Sequence, residues 1–105
     1  MRLAVDPVLA RFRKSLADIY GERLARVVLF GSRARGEATP DSDYDVAVFL
    51  TDFQDRWREV DRLVPVVTDI LYDEGAFIHA TPYRAGTEQD RTPLMREIRR
   101  DGRDL

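Results

Sequence analysis

Apolar residues return every three or four positions after Asp6-Pro7: Val8, Leu9, Phe12, Leu16, Ile19 and Tyr20. This spacing predicts an amphipathic helix, capped by Asp6, opened by Pro7 and stopped at Gly21. From Leu24 to Phe30 the pattern becomes that of a strand. Its closing Val27-Val28-Leu29-Phe30 run is apolar on both faces, which predicts a buried, central place. Gly31-Ser32 turns the chain, Arg33 to Glu37 reads as a short helical turn, and Thr39, Pro40 and Asp41 are loop residues, with Asp41 read as a turn cap. Asp43 to Leu50 is a second strand, with Tyr44, Val46, Val48 and Leu50 on one face and Asp43, Asp45, Ala47 and Phe49 on the other. It starts acidic and ends apolar, so its carboxylates sit where the sheet opens to solvent.

Thr51 and Gln54 have capping-box spacing and predict a helix with Phe53, Trp57, Val60, Leu63, Val64 and Val67 on its inner side. Pro65 is expected to kink or divide that helix, and Gly75 to end it. Ala76 to Thr81 reads as a third strand that Pro82 discourages from extending. Arg84 to Arg91 is a polar loop. Thr92-Pro93 opens a last short helix through Leu94, Met95 and Ile98, closed by Gly102. The order αβ(turn)βαβα predicts an α/β (α+β) domain, a small mixed sheet with helices packed on it, over residues 1–105 as one unit.

Composition narrows the field. The chain has 105 residues, 44% of them hydrophobic, which suits one globular domain. No apolar run approaches the roughly 20 residues that span a bilayer, and no signal-peptide pattern opens the chain. With no cysteine there is neither disulfide nor thiolate zinc site, and a cytoplasmic location without membrane contact is expected. A net charge of −2 gives no general pull toward nucleic acid, so no direct nucleic-acid binding is expected. Arg91, Arg96, Arg99, Arg100 and Arg103 crowd the C-terminal end; they read as a solvated helix face or as a surface for an acidic partner. Lys14 is the only lysine, which excludes a lysine-based phosphate loop at the Gly-Ser turn.

The chemistry concentrates in Gly31-Ser32-Arg33-Ala34-Arg35-Gly36 and Ser42-Asp43-Tyr44-Asp45. A glycine lets backbone N–H groups approach an anion, and the serine hydroxyl adds a donor. Asp43 and Asp45, two apart on a strand, point the same way and suit a divalent metal. Either element alone is commonplace: many Gly-Ser pairs are plain turns, and many strand-start acids are merely solvated. Their combination points to phosphoryl or nucleotidyl transfer.

The pattern Gly-Ser-x-Ala-Arg-Gly, then Asp-x-Asp-Val, resembles the nucleotidyltransferase superfamily of DNA polymerase β, in particular its minimal members. Those act as antitoxins beside a helical HEPN-domain toxin. The closing Thr92-Pro93-Leu94 and Ile98-Arg99-Arg100-Asp101-Gly102 segment supports the resemblance. What it implies is a polymerase β palm-like fold, with Gly31 and Ser32 on the phosphates of a nucleoside triphosphate. It further implies Asp43 and Asp45 on Mg²⁺, ATP as substrate and a HEPN toxin as partner. Arg33 or Arg35 adds charge at the triphosphate, or faces solvent.

Active members carry a third acid on a later strand. Here the corresponding strand is Phe77-Ile78-His79-Ala80-Thr81, whose inward polar residue is His79. His79 reads in three ways: a polar strand-end residue, a base or ligand in place of the acid, or a sign that the acid lies elsewhere. Asp69 and Asp73 belong to the preceding helix and are expected to face away. Trp57 is expected in the core or an interface, not stacked on a nucleotide, and Met95 and Ile98 are packing residues. Two functions follow: transfer of AMP from ATP to a tyrosine of the toxin, or a degenerate antitoxin that neutralises its toxin by binding. A stand-alone transferase for a small acceptor is less consistent with so short a chain.

Overall fold

The structure, a computed structural model, describes residues 6–105. Asp6 caps helix α1 (Pro7–Tyr20) as its spacing predicts, its Oδ1 accepting from the Val8 and Leu9 N–H groups at 2.9 and 3.2 Å. A 3₁₀ turn leads into β1 (Leu24–Phe30), and the four-residue α2 (Ser32–Arg35) precedes β2 (Tyr44–Leu50). Helix α3 (Arg56–Glu74) crosses over to β3 (Ile78–Arg84); α4 (Pro93–Asp101) and the two-residue β4 (Arg103–Asp104) close the chain. The sheet order is β3-β2-β1-β4, with β2 parallel to β3 and β1 antiparallel to both its neighbours. It is the expected mixed sheet.

The two faces of the sheet differ. On one, Val27, Leu29, Tyr44, Val46, Val48, Leu50 and Ile78 pack under α1 (Leu9, Phe12, Leu16, Tyr20) and α3 (Leu63, Ile70), forming the main core. On the other, Val28, Ala47 and Phe49 form a smaller cluster with Met95 and Ile98 of α4, edged by Phe30, Tyr83 and Leu94. One short helix covers part of that second face. The rest is open, and Gly31, Asp45 and His79 line a cavity there.

Four expectations are corrected. Helix α3 starts at Arg56 with Asp55 as cap, its carboxylate accepting from the Trp57 N–H at 2.9 Å. Thr51 is already engaged elsewhere, because its N–H donates to the Arg23 carbonyl and ties the end of β2 back to β1. The buried side of α3 is Glu59, Leu63 and Ile70, while Trp57 and Val64 are exposed. Of the expected inner side, Leu63 is buried and Phe53 and Val67 pack against the core, while Glu59 takes the place expected of Trp57 and Val64: it is buried, held by Arg23 and by Arg62 at 3.0 Å. Desolvation and the same carboxylate push the neighbouring Tyr20 phenol up to about 12.

Pro65 does not divide α3. It is exposed, so the Asp61 carbonyl that loses its helical partner is free to meet water. Nor does Pro82 stop β3, which runs on to Arg84. That strand is at the sheet edge, and an edge strand tolerates a missing donor on its open side.

Strand β4 was not expected. Helix α4 ends at Gly102, and Arg103 and Asp104 pair with Leu29 and Val28. A Cβ on Gly102 would lie 2.3 Å from the Ile98 carbonyl oxygen and 2.6 Å from Val28 Cγ1. Gly102→Ala must therefore push α4 off the sheet. We expect a loss of about 2 kcal/mol, read as a fall of roughly 8–16 °C in Tm by thermal denaturation; an unchanged melt would show that the helix end shifts freely.

Candidate active site

Three adjacent strands bring the site together through their register. Phe30, the last residue of β1, pairs with Asp45 of β2, and Asp45 pairs with His79 of β3. Gly31 follows Phe30 directly, so the Gly-Ser turn, the acid and the imidazole form one row across the open face. His79 Nδ1 stands 3.7 Å from Asp45 Oδ1, with the His79 side chain 67% exposed and that of Asp45 35%.

Gly31 is buried at the N-terminus of α2, with φ 76° and ψ −159°. Its carbonyl accepts from the Ala34 and Arg35 N–H groups at 3.1 and 3.2 Å, which folds the turn over the head of β2. The approach to Asp45 is close: a Cβ on Gly31 would fall 2.5 Å from Asp45 Oδ2. Glycine is required twice here, for its backbone angles and for the room it leaves the carboxylate.

The row lines an open cavity of about 660 Å³, walled also by Phe30, Ser32, Arg35, Arg56, Thr81, Tyr83, Leu94 and Glu97. Tyr83 stacks on Phe49 with ring centroids 5.6 Å apart, and burial raises its phenol above the ordinary value. Arg35 stands at the rim, shared between Glu37 at 2.7 Å and Glu97 at 3.4 Å. The wall from Thr81 to Glu97 was not foreseen. The expected strand already carried Thr81 on the His79 face, and the same alternation would have supplied Tyr83 had the strand not been stopped at Pro82.

Two expected site residues lie apart from this cavity. Asp43 precedes β2, is exposed, and lines a neighbouring hollow with Arg33, Ser42 and Phe77. Arg33 is spent on the loop between α2 and β2. Its guanidinium donates to the carbonyls of Ser42 (2.7 and 3.0 Å) and Pro40 (3.4 Å) and lies 3.9 Å from the Tyr44 ring centroid. It fastens the segment that carries Asp43 and does not line the cavity. The turn is capped by Ser42, whose Oγ accepts from the Thr39 N–H at 2.9 Å, and not by Asp41.

As expected, Asp73 points away from the site; it pairs with Arg11 of α1 at 2.8 Å. The C-terminal arginines form no single patch. Arg99 donates to the Asp90 carbonyl at 2.8 Å, Arg100 binds Asp101, and Arg103 donates to the Ala34 carbonyl at 2.9 Å. Among the described residues no three His, Asp or Glu side chains gather to hold a metal ion by themselves. None of their helices is long and apolar enough to cross a membrane.

A mixed sheet that sets a phosphate turn beside an acid on a half-covered face is the arrangement of a nucleotide-handling transferase. The chain belongs to the nucleotidyltransferase domain family, whose model matches residues 9–94. It is 38% identical over 48 residues to the putative protein adenylyltransferase MJ0141 of Methanocaldococcus jannaschii, covering 46% of this chain and 48% of that one. The match thus spans about half the length of that curated relative. Among solved structures, a toxin–antitoxin with AMP-PNP superposes with a TM-score of 0.63 at 21% identity, over 90% of this chain and 69% of that one. A mutant of the toxin–antitoxin MntA-HpeT gives 0.62 at 19%, with the same coverage. At these identities the likeness establishes the fold, and it is the nucleotidyltransferase fold.

Proposed function

We propose that this protein moves AMP from ATP onto a tyrosine hydroxyl of a HEPN-family toxin and so acts as its antitoxin. One observation carries the reading: Gly31, Asp45 and His79 stand in a row, in register, along one open cavity. The curated relative is named as a protein adenylyltransferase and the structural neighbours are toxin–antitoxin pairs, which supports a protein acceptor.

In this reading the backbone N–H groups at the Gly31 turn and the Ser32 hydroxyl hold the triphosphate. Arg35, at the rim, adds positive charge to it. The donor set suits Mg²⁺, a hard ion commonly bound through one or two carboxylates with substrate phosphates completing its shell. Asp45 would hold it from the cavity wall and Asp43 from the adjoining hollow two residues earlier, and since no three acids gather among the described residues, the nucleotide's oxygens would supply further ligands. Bound there, Mg²⁺ would neutralise charge at the phosphates as pyrophosphate leaves. His79, exposed beside Asp45, takes the proton of the attacking hydroxyl as a neutral imidazole. Arg33 acts as a positioning residue for the acidic loop.

The test is incubation with labelled ATP, Mg²⁺ and the protein encoded by the adjacent gene. Label on that protein is expected, and its toxicity should fall in step. His79→Ala should reduce transfer by roughly 10²-fold while ATP binding, read by calorimetry, stays within a few-fold; full activity in this variant would remove His79 from the mechanism. The lack of a third gathered acid favours one alternative, a degenerate antitoxin that silences its partner by contact. Inhibition of the partner by the Asp43→Asn, Asp45→Asn double variant without any labelling would establish it.

A further inference from the structure

The charges around the cavity are not all met within the chain. Its walls carry Asp45, His79, Glu97, Arg35 and Arg56. Arg35 and Glu97 answer each other at 3.4 Å, Glu37 takes another nitrogen of the same guanidinium, and Asp45 faces His79. Arg56 is in no ion pair among the described residues. The adjacent Asp55 does not serve it, because that carboxylate caps α3 and accepts from the Trp57 and Arg58 N–H groups. One guanidinium at the wall of the site is left unspent.

Its place decides what it can meet. Along β3 the residues His79, Thr81 and Tyr83 share the cavity, so Tyr83 lies four residues, about 13 Å, beyond His79. Arg56 stands at that far end: burial raises the Tyr83 phenol, and the charge of Arg56 draws it part of the way back. Between the two ends the cavity is walled by Thr81 and Leu94, one polar and one apolar.

The direction of transfer sorts the occupants. The attacking and leaving oxygens stand roughly in line across the phosphorus, one bond forming as the other breaks. With the leaving pyrophosphate on Gly31 and Ser32, the acceptor oxygen arrives from the opposite side of Asp45, which is the His79 side. A tyrosine side chain matches two strand residues, ~7 Å, in length. A phenol with its oxygen at His79 therefore lays its ring over Thr81 and brings its backbone to Tyr83. The nucleotide carries its charge on its phosphates, at the other end of the cavity. An anion opposite Arg56 has to come from the acceptor.

We propose that the β3 half of the cavity is the acceptor subsite, and that Arg56 selects a target tyrosine with a carboxylate beside it on the acceptor protein. Guanidinium and carboxylate meet through two parallel hydrogen bonds, which fix orientation as well as charge. This assignment rests on the transfer reading of the site. Arg56 touches neither the phosphates nor the reacting oxygen, so its role is specificity and not catalysis.

The test is steady-state transfer of label from ATP to the product of the adjacent gene, with the full chain and Mg²⁺. Arg56→Gln should raise the KM for that acceptor roughly 10-fold, with kcat and the KM for ATP within twofold. Arg56→Lys keeps the charge without the paired hydrogen bonds and should recover part of the loss. Arg58→Gln, at an exposed arginine outside the cavity, should leave all three constants unchanged. On the acceptor, each Asp or Glu near the labelled tyrosine is replaced by its amide. One of these changes should match the effect of Arg56→Gln and add nothing to it when the two are combined. An unchanged KM for the acceptor, a raised KM for ATP, equal effects of Arg56→Gln and Arg58→Gln, or full additivity for every acceptor acid would each overturn the proposal. A wild type that labels nothing removes the transfer reading alone. The pairing is then read by calorimetry between the two proteins, where Arg56→Gln should weaken binding roughly 10-fold; an unchanged affinity, or no binding at all, would overturn it.

Discussion

Asp45→Asn is expected to lower transfer of label from ATP by roughly 10²–10³-fold, about 2.7–4 kcal/mol of barrier. The substitution keeps the side chain's size and removes its charge. Asp45 is the one acid that the register places between the phosphate turn and His79, so no neighbour stands in for it. Its hydrogen-bonding demands are slight, because the side chain is over a third exposed and its recorded contact is the 3.7 Å approach of His79. Stability should therefore change little, and a melt within about 2 °C of wild type would separate lost chemistry from lost fold. Transfer within threefold of wild type would remove Asp45 from the site.

Gly31→Ala should fail in two ways at once. At φ 76° and ψ −159° the residue occupies a region almost closed to side-chain-bearing residues, which costs roughly 1–3 kcal/mol. The added Cβ would also lie 2.5, 3.3 and 3.4 Å from Asp45 Oδ2, Cγ and Cβ, so the carboxylate must swing out of the row. We expect Tm to fall by about 4–20 °C, and transfer to fall to the level of Asp45→Asn even at temperatures where the variant is fully folded. Gly36→Ala is the control: its φ is 75°, but nothing lies within 4 Å of the added Cβ. It should cost about 1 kcal/mol and leave transfer unchanged. Equal activity losses in the two variants would mean that backbone strain, and not the crowding of Asp45, is responsible.

Much of this architecture was legible because local signals agree with the fold. Asp6-Pro7, Gly21, Gly75 and Thr92-Pro93 end or begin helices where their backbone chemistry requires it, and the Leu24–Phe30 run is a central strand. The sequence failed where tertiary contacts override such signals. Glu59 hides the buried side of α3, since a carboxylate enters a core only with partners, and Arg23 and Arg62 are distant or ambiguous in the linear pattern. Pro82 sits in a strand because that strand is at the edge. Two residues of β4 carry too little pattern to be seen at all. Within the site, Gly31, Ser32, Asp45 and His79 could be read as a group. Arg33 could not be told from Arg35: only the folded loop shows that one grips carbonyls while the other reaches the cavity. Tyr83 of β3 and Leu94 and Glu97 of α4 meet only in three dimensions.

The register of β2 ties fold to chemistry. Asp45 and Val46 are consecutive and face opposite ways, Val46 fully buried and Asp45 open to the pocket. A slip of one residue would drive the carboxylate into the apolar layer beneath α1 and α3 and lift a valine into the pocket. Such a slipped strand would lose its acid and its packing together. Asp45 thus guards the alignment of the strand that carries it, and a chain that folds correctly has, by the same step, brought Gly31, Asp45 and His79 into one row.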